Sequence, residues 1–175
     1  MTHESRLLIG WREWVSLPQL RLPAIKAKVD TGARTSSLHA FGVEAFAREG
    51  RRWVRFHVHP LQERQDIIVT CEAPVADYRA VSDSGGHIEK RYVIETLIRI
   101  GNLYFPIEIT LANRETMSHR MLIGRSAMKH LMIDPNHTYM LGVPSRVLSS
   151  YGIKTRIVRK KKKKKTKKKS SRPSP

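Results

Sequence analysis

The feature that most constrains this chain is the run Ala27-Lys28-Val29-Asp30-Thr31-Gly32-Ala33, an apolar-flanked strand that leads into a carboxylate-bearing tight turn. Each residue of the turn has its own chemical use. Asp30 supplies a carboxylate, and the Thr31 hydroxyl can hydrogen-bond across the turn. Gly32 lets the backbone approach a ligand without a Cβ in the way, and Ala33 leaves room beside it. Chance alone puts an Asp-Thr-Gly in roughly a few per cent of chains of this length. Asp and Gly are also favoured at strand-end turns for structural reasons. What adds weight is a second apolar strand that ends on glycine and arginine, Met121-Leu122-Ile123-Gly124-Arg125.

Strand signals dominate the rest of the chain. Residues 7–17, 24–29, 52–58, 66–71, 75–81, 88–100 and 103–111 are rich in β-branched or aromatic residues with partial alternation. Gly101-Asn102 reads as a hairpin turn. Asp83-Ser84-Gly85-Gly86 reads as a second, more flexible one between 78–81 and 87–91. The best short helix candidate is 126–132, stopped by the turn signature Asp134-Pro135-Asn136. The expectation is a mostly-β closed barrel with one short helix, without internal repeats.

With 175 residues, the chain is long enough for one domain with its own core. We divide it into a folded part, 1–150, and a polybasic tail, 151–175. Cys71 is the only cysteine, which excludes a disulfide framework and a cysteine-rich zinc site. The N-terminal residues lead to a short apolar run interrupted by Arg12 and Glu13. That is neither a signal peptide nor a membrane span, and the expectation is a cytoplasmic protein. The net charge of +18 is unevenly spread. Residues 154–175 hold 13 Lys or Arg and no acid, so 20 basic residues face all 15 acids in 1–153, which carries only +5. The run 159–169, broken only by Thr166, cannot bury apolar surface and is expected to be disordered. Its lysines, from Lys160 to Lys169, suit RNA, the ribosome or another polyanion.

In order, the pieces are strand, Asp30-Thr31-Gly32-Ala33, glycine-tipped hairpin, Gly101 hairpin, Leu122-Ile123-Gly124-Arg125 and short helix. That order resembles the retropepsins, the retroviral-type aspartic proteases, with 41–76 as an insertion. The chain is more similar still to a bacterial family of retropepsin-like proteins known as ATP-dependent zinc proteases. The matching words are residues 28–40 (Lys-Val-Asp-Thr-Gly-Ala-Arg-Thr-Ser-Ser-Leu-His-Ala), Trp53-Val54-Arg55-Phe56, Arg91-Tyr92-Val93-Ile94 and 121–125. The resemblance implies an aspartic endopeptidase acting on a peptide or protein substrate, with Asp30 as the catalytic carboxylate. Thr31, Gly32, Ala33 and Gly124 would support the turn, and Asp83, Ser84, Gly85 and Gly86 would form the flap. It also implies a functional link to ATP-grasp ligases that add glutamate to proteins.

The chemistry of that class needs two carboxylates about 3 Å apart sharing one proton. One Asp-Thr-Gly per chain therefore demands a symmetric homodimer. The zinc and ATP of the family's name find no support in the residues. There is no His-Glu-x-x-His and no phosphate-binding glycine loop. His57 and His59 could share a strand face but lack an obvious third ligand, so no metal and no cofactor are expected. In retropepsins the arginine of the Gly-Arg word pairs with an acid just after the Asp-Thr-Gly-Ala turn, and here that position is Arg34. Either another acid partners Arg125, or the arginines serve a ligand. Arg34, Arg125 and Arg91 are candidates for binding acidic substrate side chains, and structural ion pairing is the alternative for all three. The competing functional reading is a non-catalytic peptide-binding or adaptor module that docks on RNA or the ribosome through its tail. A metal-dependent hydrolase, indifferent to Asp30→Asn, is a third.

Overall fold

The computed structural model describes residues 6–82, 85–113 and 118–153. Within them the chain forms β1 (Leu7–Gly10), β2 (Arg12–Leu17), β3 (Leu22–Val29), β4 (Ser36–His39), β5 (Phe41–Arg48) and β6 (Arg51–Val58). β7 (Val69–Ser82), β8 (Ile88–Ile100), β9 (Leu103–Ala112), β10 (Met121–Ile123), β11 (Leu131–Asp134) and a single helical turn, α1 (Val147–Ser150), follow. The sheet is a ring of strands. β2, β3, β10, β4, β9 and β8 are hydrogen-bonded in that order, and Ser16 of β2 lies opposite Arg99 of β8 to join the ends. β7, β6 and β5 continue outward from β8 as an antiparallel arm, and β1 pairs with β11 in a separate parallel ribbon.

Strand alternation explains which faces meet. Leu17, Leu22, Ile25, Leu38, Ile94, Ile98, Ile100, Ile109, Met121 and Ile123 are fully buried and fill the ring. Val54, Phe56, Val58, Cys71 and Ala73 extend the same apolar cluster under the arm. Apolar burial on this scale is the main stabilising term for a sheet protein. β5 is the exposed edge of the arm and is blunted by Glu44, Arg48 and Gly42, which sits at a φ of +58°.

Three expectations need correction. The run 7–17 is two strands, because the chain turns at Gly10-Trp11 to leave β11 and join β3. A Cβ on Gly10 would lie 2.4 Å from the His137 carbonyl oxygen, so only glycine fits that passage. The runs 66–71 and 75–81 are one strand, β7, which pairs with β6 up to Pro74 and with β8 from Val75 on. Proline, lacking an N–H, is tolerated where the strand exchanges partners. The helix at 126–132 is a 3-10 turn at Arg125–Ala127 followed by β11. Leu131, Met132 and Ile133 have reasonable helix propensity, but pairing with Leu7, Leu8 and Ile9 outweighs it. The hairpin at Gly101-Asn102 is present, with Gly101 at a φ of +58°. The polybasic segment from 154 onward, and Asp83 and Ser84 of the second turn, lie outside the described residues.

Candidate active site

The site starts from β3. Ala27 and Val29 are buried, and β3 is hydrogen-bonded on both sides, to β2 and to β10, so its end is fixed in space. The ladder continues one step further, where the Asp30 N–H donates to Ile123 O at 2.9 Å. The chain then turns. Asp30 Oδ1 accepts from the Gly32 N–H at 3.0 Å and the Ala33 N–H at 3.2 Å. An aspartate side chain bonded to the backbone just ahead of it stabilises such a turn locally. Asp30 is half-buried, and Thr31 and Gly32 are exposed, so the carboxylate is presented at the surface end of the strand. Space is tight at Gly32, where a Cβ would sit 3.2 Å from Asp30 Oδ1.

The second word locks the first. Gly124 crosses the backbone of Thr35 and Ser36 so closely that a Cβ would stand 2.5–2.8 Å from their atoms. Its N–H donates to Ser36 Oγ at 3.1 Å, and Ser36 is fully buried. The Arg125 and Ser126 N–H groups donate to Ala33 O (2.9 Å) and Arg34 O (3.0 Å). The Arg125 guanidinium completes the lacing, with Nη1 donating to Thr31 O at 2.7 Å and Gly32 O at 2.8 Å. Among the described residues Arg125 has no acidic partner. The two peptide units of the turn give their N–H groups to Asp30 and their carbonyls to Arg125. A charged donor to a carbonyl is stronger than a neutral one.

The other candidate residues are placed as follows. Gly85 and Gly86 lie past the end of β7, and Gly86 has a φ of +81° with open space around it. Next to them Ile88 is 74% exposed. Arg34 is exposed, and its side chain makes no ion pair among the described residues. Arg91 is mostly buried, pairs with Glu89 at 3.2 Å, and has a buried Nε without an acceptor among the described residues. Arg79, directly opposite Arg91 on the β7–β8 hairpin, escaped the sequence reading. Its guanidinium donates to Glu108 (2.8 Å), Asp77 (3.1 Å) and Thr35 Oγ1 (3.2 Å), so it ties the hairpin to the residue that follows the Asp30 turn. The bond to Glu108, ahead of the other causes, raises its pKa. Only the hairpin register could have revealed it. His57 and His59 flank the Phe41 ring, with Nδ1 atoms bonded to Thr70 Oγ1 (3.0 Å) and Ile67 O (3.3 Å). Among the described residues no group of three or more His, Cys, Asp or Glu is arranged to hold a metal ion.

A family described as RimB-like, retropepsin-like aspartic endopeptidase RimB, matches residues 8–143. The chain belongs to this family. The match takes in the Asp30 turn, the β7–β8 hairpin and the Gly124-Arg125 word together. A crystal structure of a Legionella pneumophila protein of unknown function (DUF785) has the same fold. It shows a TM-score of 0.66 and 25% identity, covering 77% of this chain and 98% of that one. Longer relatives also carry the RimB-like segment. The chain is 45% identical over 155 residues to a probable alpha-L-glutamate ligase of Shewanella halifaxensis, covering 87% of this chain and 34% of the relative. It is 47% identical over 138 residues to one of Parasynechococcus marenigrum, covering 78% and 30%. The chain thus spans about a third of the length of these relatives.

Proposed function

We propose that the chain is an aspartic endopeptidase in which Asp30 works with Asp30 of the partner subunit in a homodimer. The observation that carries this reading is the presentation of Asp30. One carboxylate oxygen is held by two N–H groups, in a turn braced from both sides, while the group itself reaches the surface. The ring of strands is read as the retropepsin barrel, and the β7–β8 hairpin, with 83–86 at its tip, as the flap. Two carboxylates brought together on a two-fold axis cannot both ionise, so they share a proton. The ionised one takes a proton from a water molecule, and that water attacks the peptide carbonyl carbon. The protonated one donates to the carbonyl oxygen, and the carboxyl that took the water's proton passes it to the nitrogen as the tetrahedral species collapses and expels the amine.

The exposed Arg34 and the relatives named as glutamate ligases favour glutamate-rich or glutamate-modified protein substrates. The work would be coupled to ATP-grasp ligases in the cell, and residues 160–169 would dock on RNA, the ribosome or another polyanion. The second reading, a peptide-binding adaptor without catalysis, is favoured by one fact: each chain contributes a single Asp-Thr-Gly. Mass-spectrometric mapping of cleavage in a mixed peptide library, with glutamate-rich members, separates the two. Cleavage by wild type and none by Asp30→Asn is the expected result, alongside a dimer in sedimentation. Cleavage by both would rule Asp30 out as the catalyst and point to a metal-dependent hydrolase, which chelators would inhibit. Cleavage by neither would favour the adaptor.

A further inference from the structure

At the end of β3 away from Asp30 the chain builds a cleft that the proposed chemistry does not use. The 3-10 turn Pro18–Leu20 joins β2 to β3, and Arg21 closes it, its N–H donating to Pro18 O at 3.0 Å. The turn is tied to the sheet. Gln19 Oε1 accepts from the Leu97 N–H at 2.8 Å and from Thr96 Oγ1 at 3.1 Å, and Leu20 O accepts from Cys71 Sγ at 3.2 Å. Between this turn and the arm opens a cleft of about 420 Å³, whose walls include Gln19, Arg21, Arg48, Trp53, Cys71 and Glu72. Arg21 and Asp30 flank the two ends of β3, roughly 25–30 Å apart at about 3.3 Å per residue.

The charges around the cleft do not cancel. Glu72, the acid in its wall, is already taken: Arg48 Nη2 lies 2.6 Å and Arg55 Nη2 2.7 Å from its two oxygens. The register of the arm sets Arg51 opposite Arg48, and Glu44 opposite Arg55. Over Arg21, the β5–β6 hairpin and Glu72, five arginines stand against three acids, which leaves the cleft open to an anion. Arg21 has no counterpart. It is exposed, forms no hydrogen bond or ion pair through its side chain among the described residues, and holds a φ of +57°, uncommon for a residue other than glycine. Backbone of this kind persists where the surroundings enforce it, and ligand clamps are one such place. Burial pushes the Cys71 thiol up to about 12, and the Arg21 charge works against that rise, so this charge is felt at the cleft wall.

What the cleft presents narrows the choice of anion. The Arg48 guanidinium lies 4.5 Å from the Trp53 ring centre and 5.1 Å from that of Phe46, and the Arg55 guanidinium lies 5.4 Å from Phe46. Both rings are thus already paired with guanidinium groups, which orients the forks instead of offering a stack for a base. Those forks hold Glu72 at carboxylate distances, and carboxylates are what planar guanidinium donors match. We propose that the cleft between Arg21 and Arg48 binds a run of carboxylates on a peptide, and serves as a remote site that holds the acidic segment of a substrate while Asp30 acts elsewhere along it. Its role in cleavage rests on the protease reading given above; its binding of carboxylates does not. An extended peptide advances at most about 3.3–3.6 Å per residue, so the acidic run and the cleaved bond stand at least about eight residues apart.

The test uses the full-length protein carrying Asp30→Asn, so that nothing is cut, and a hexaglutamate peptide bearing a terminal benzophenone. After photolysis we expect adducts on peptides spanning 19–21, 48–53 or 70–72. Arg21→Gly should lower their yield about tenfold, as a hydrogen bond to a charged group is worth about that factor. Glycine is at ease at a φ of +57°, so this variant should melt no lower than its parent, which separates lost binding from lost folding. Unchanged yield in Arg21→Gly, or parent adducts confined to segments outside the cleft, would overturn the proposal. So would cleft adducts that inorganic phosphate displaces as readily as unlabelled hexaglutamate, or a cleft that crosslinks a thiouridine RNA in preference. With Asp30 intact, peptides whose acidic run lies about eight or more residues from the cleaved bond should show a lower KM than those with it adjacent, at equal kcat. Arg21→Gly should erase that difference. Cleavage without the spacing effect would overturn the remote site, whereas no cleavage at all would remove the protease reading and leave the cleft adducts standing.

Discussion

The Asp30 turn and the β7–β8 hairpin are both ends of strands from one sheet, yet they are held in opposite ways. The turn is bonded to the backbone of Ile123 and Arg125 and to the Arg125 guanidinium, and the adjoining Gly124 is itself bonded to Ser36 Oγ. Beyond its own ladder, the hairpin reaches the turn region through the bond from Arg79 to Thr35 Oγ1. The difference teaches where precision is demanded. On the function proposed above, a carboxylate that meets a second one would need a fixed position, whereas a covering hairpin would need an anchor at its base.

The sharpest way to break the contrast is to put one methyl group in each region. Gly124→Ala would drive a Cβ into the Thr35-Ser36 backbone, which cannot move without disturbing β4. We expect a loss of about 3 kcal/mol in urea denaturation, the upper end for overpacking. Gly86→Ala meets nothing in space and costs only the strain of a φ of +81°, about 1 kcal/mol. Equal losses in the two variants would erase the distinction.

Arg125→Ala removes two charged donors and leaves the Thr31 and Gly32 carbonyls to water. The expected loss is about 1–2 kcal/mol, with Arg125→Lys recovering only part, because an ammonium lacks the planar fork. Arg79→Gln should cost under about 1 kcal/mol globally, as its ion pairs are exposed. Its signature is local: faster amide exchange along 77–82 and 88–93, with 30–33 unchanged. Faster exchange in both regions would mean that Arg79 braces the turn itself.

A last prediction concerns neither region but the wall beneath the arm, and it sharpens the contrast by leaving both alone. Burial pushes the Cys71 thiol and the Tyr151 phenol up to about 12, from ordinary values of 9.0 and 10.0. Above pH 9 the unfolded chain sheds these protons while the folded chain keeps them. The folded state then binds more protons, so stability falls as pH rises from about 9 towards 12. Melting temperature should decline over that window in wild type, and less steeply in Cys71→Ala.

What could be read in the residues beforehand was the chemistry of short words. Asp30-Thr31-Gly32-Ala33 and Gly124-Arg125 carry their geometry in residue type, because glycine and aspartate have few other uses at strand ends. Partners distant in sequence were not readable. Ser36-Ser37-Leu38-His39 falls outside the strand runs read from sequence, but insertion between β9 and β10 buries all four residues and makes them a strand. The Leu131 run looks helical until β1 is beside it. For Arg125 an acid or a ligand was expected, and the two carbonyls that its guanidinium bonds are marked by no sequence pattern. Arg79 became visible only once register set it opposite Arg91.

The crossing at Gly124 also decides what could be transplanted. Its bond to Ser36 joins positions 88 residues apart. A designer who moved residues 27–36 into a new scaffold would import a carboxylate on a loose loop. The smallest portable unit is a pair of segments, 27–36 and 121–126, and any host must already bring two strands to touching distance where they cross. The motif is therefore an address with two lines, and half of it delivers nothing.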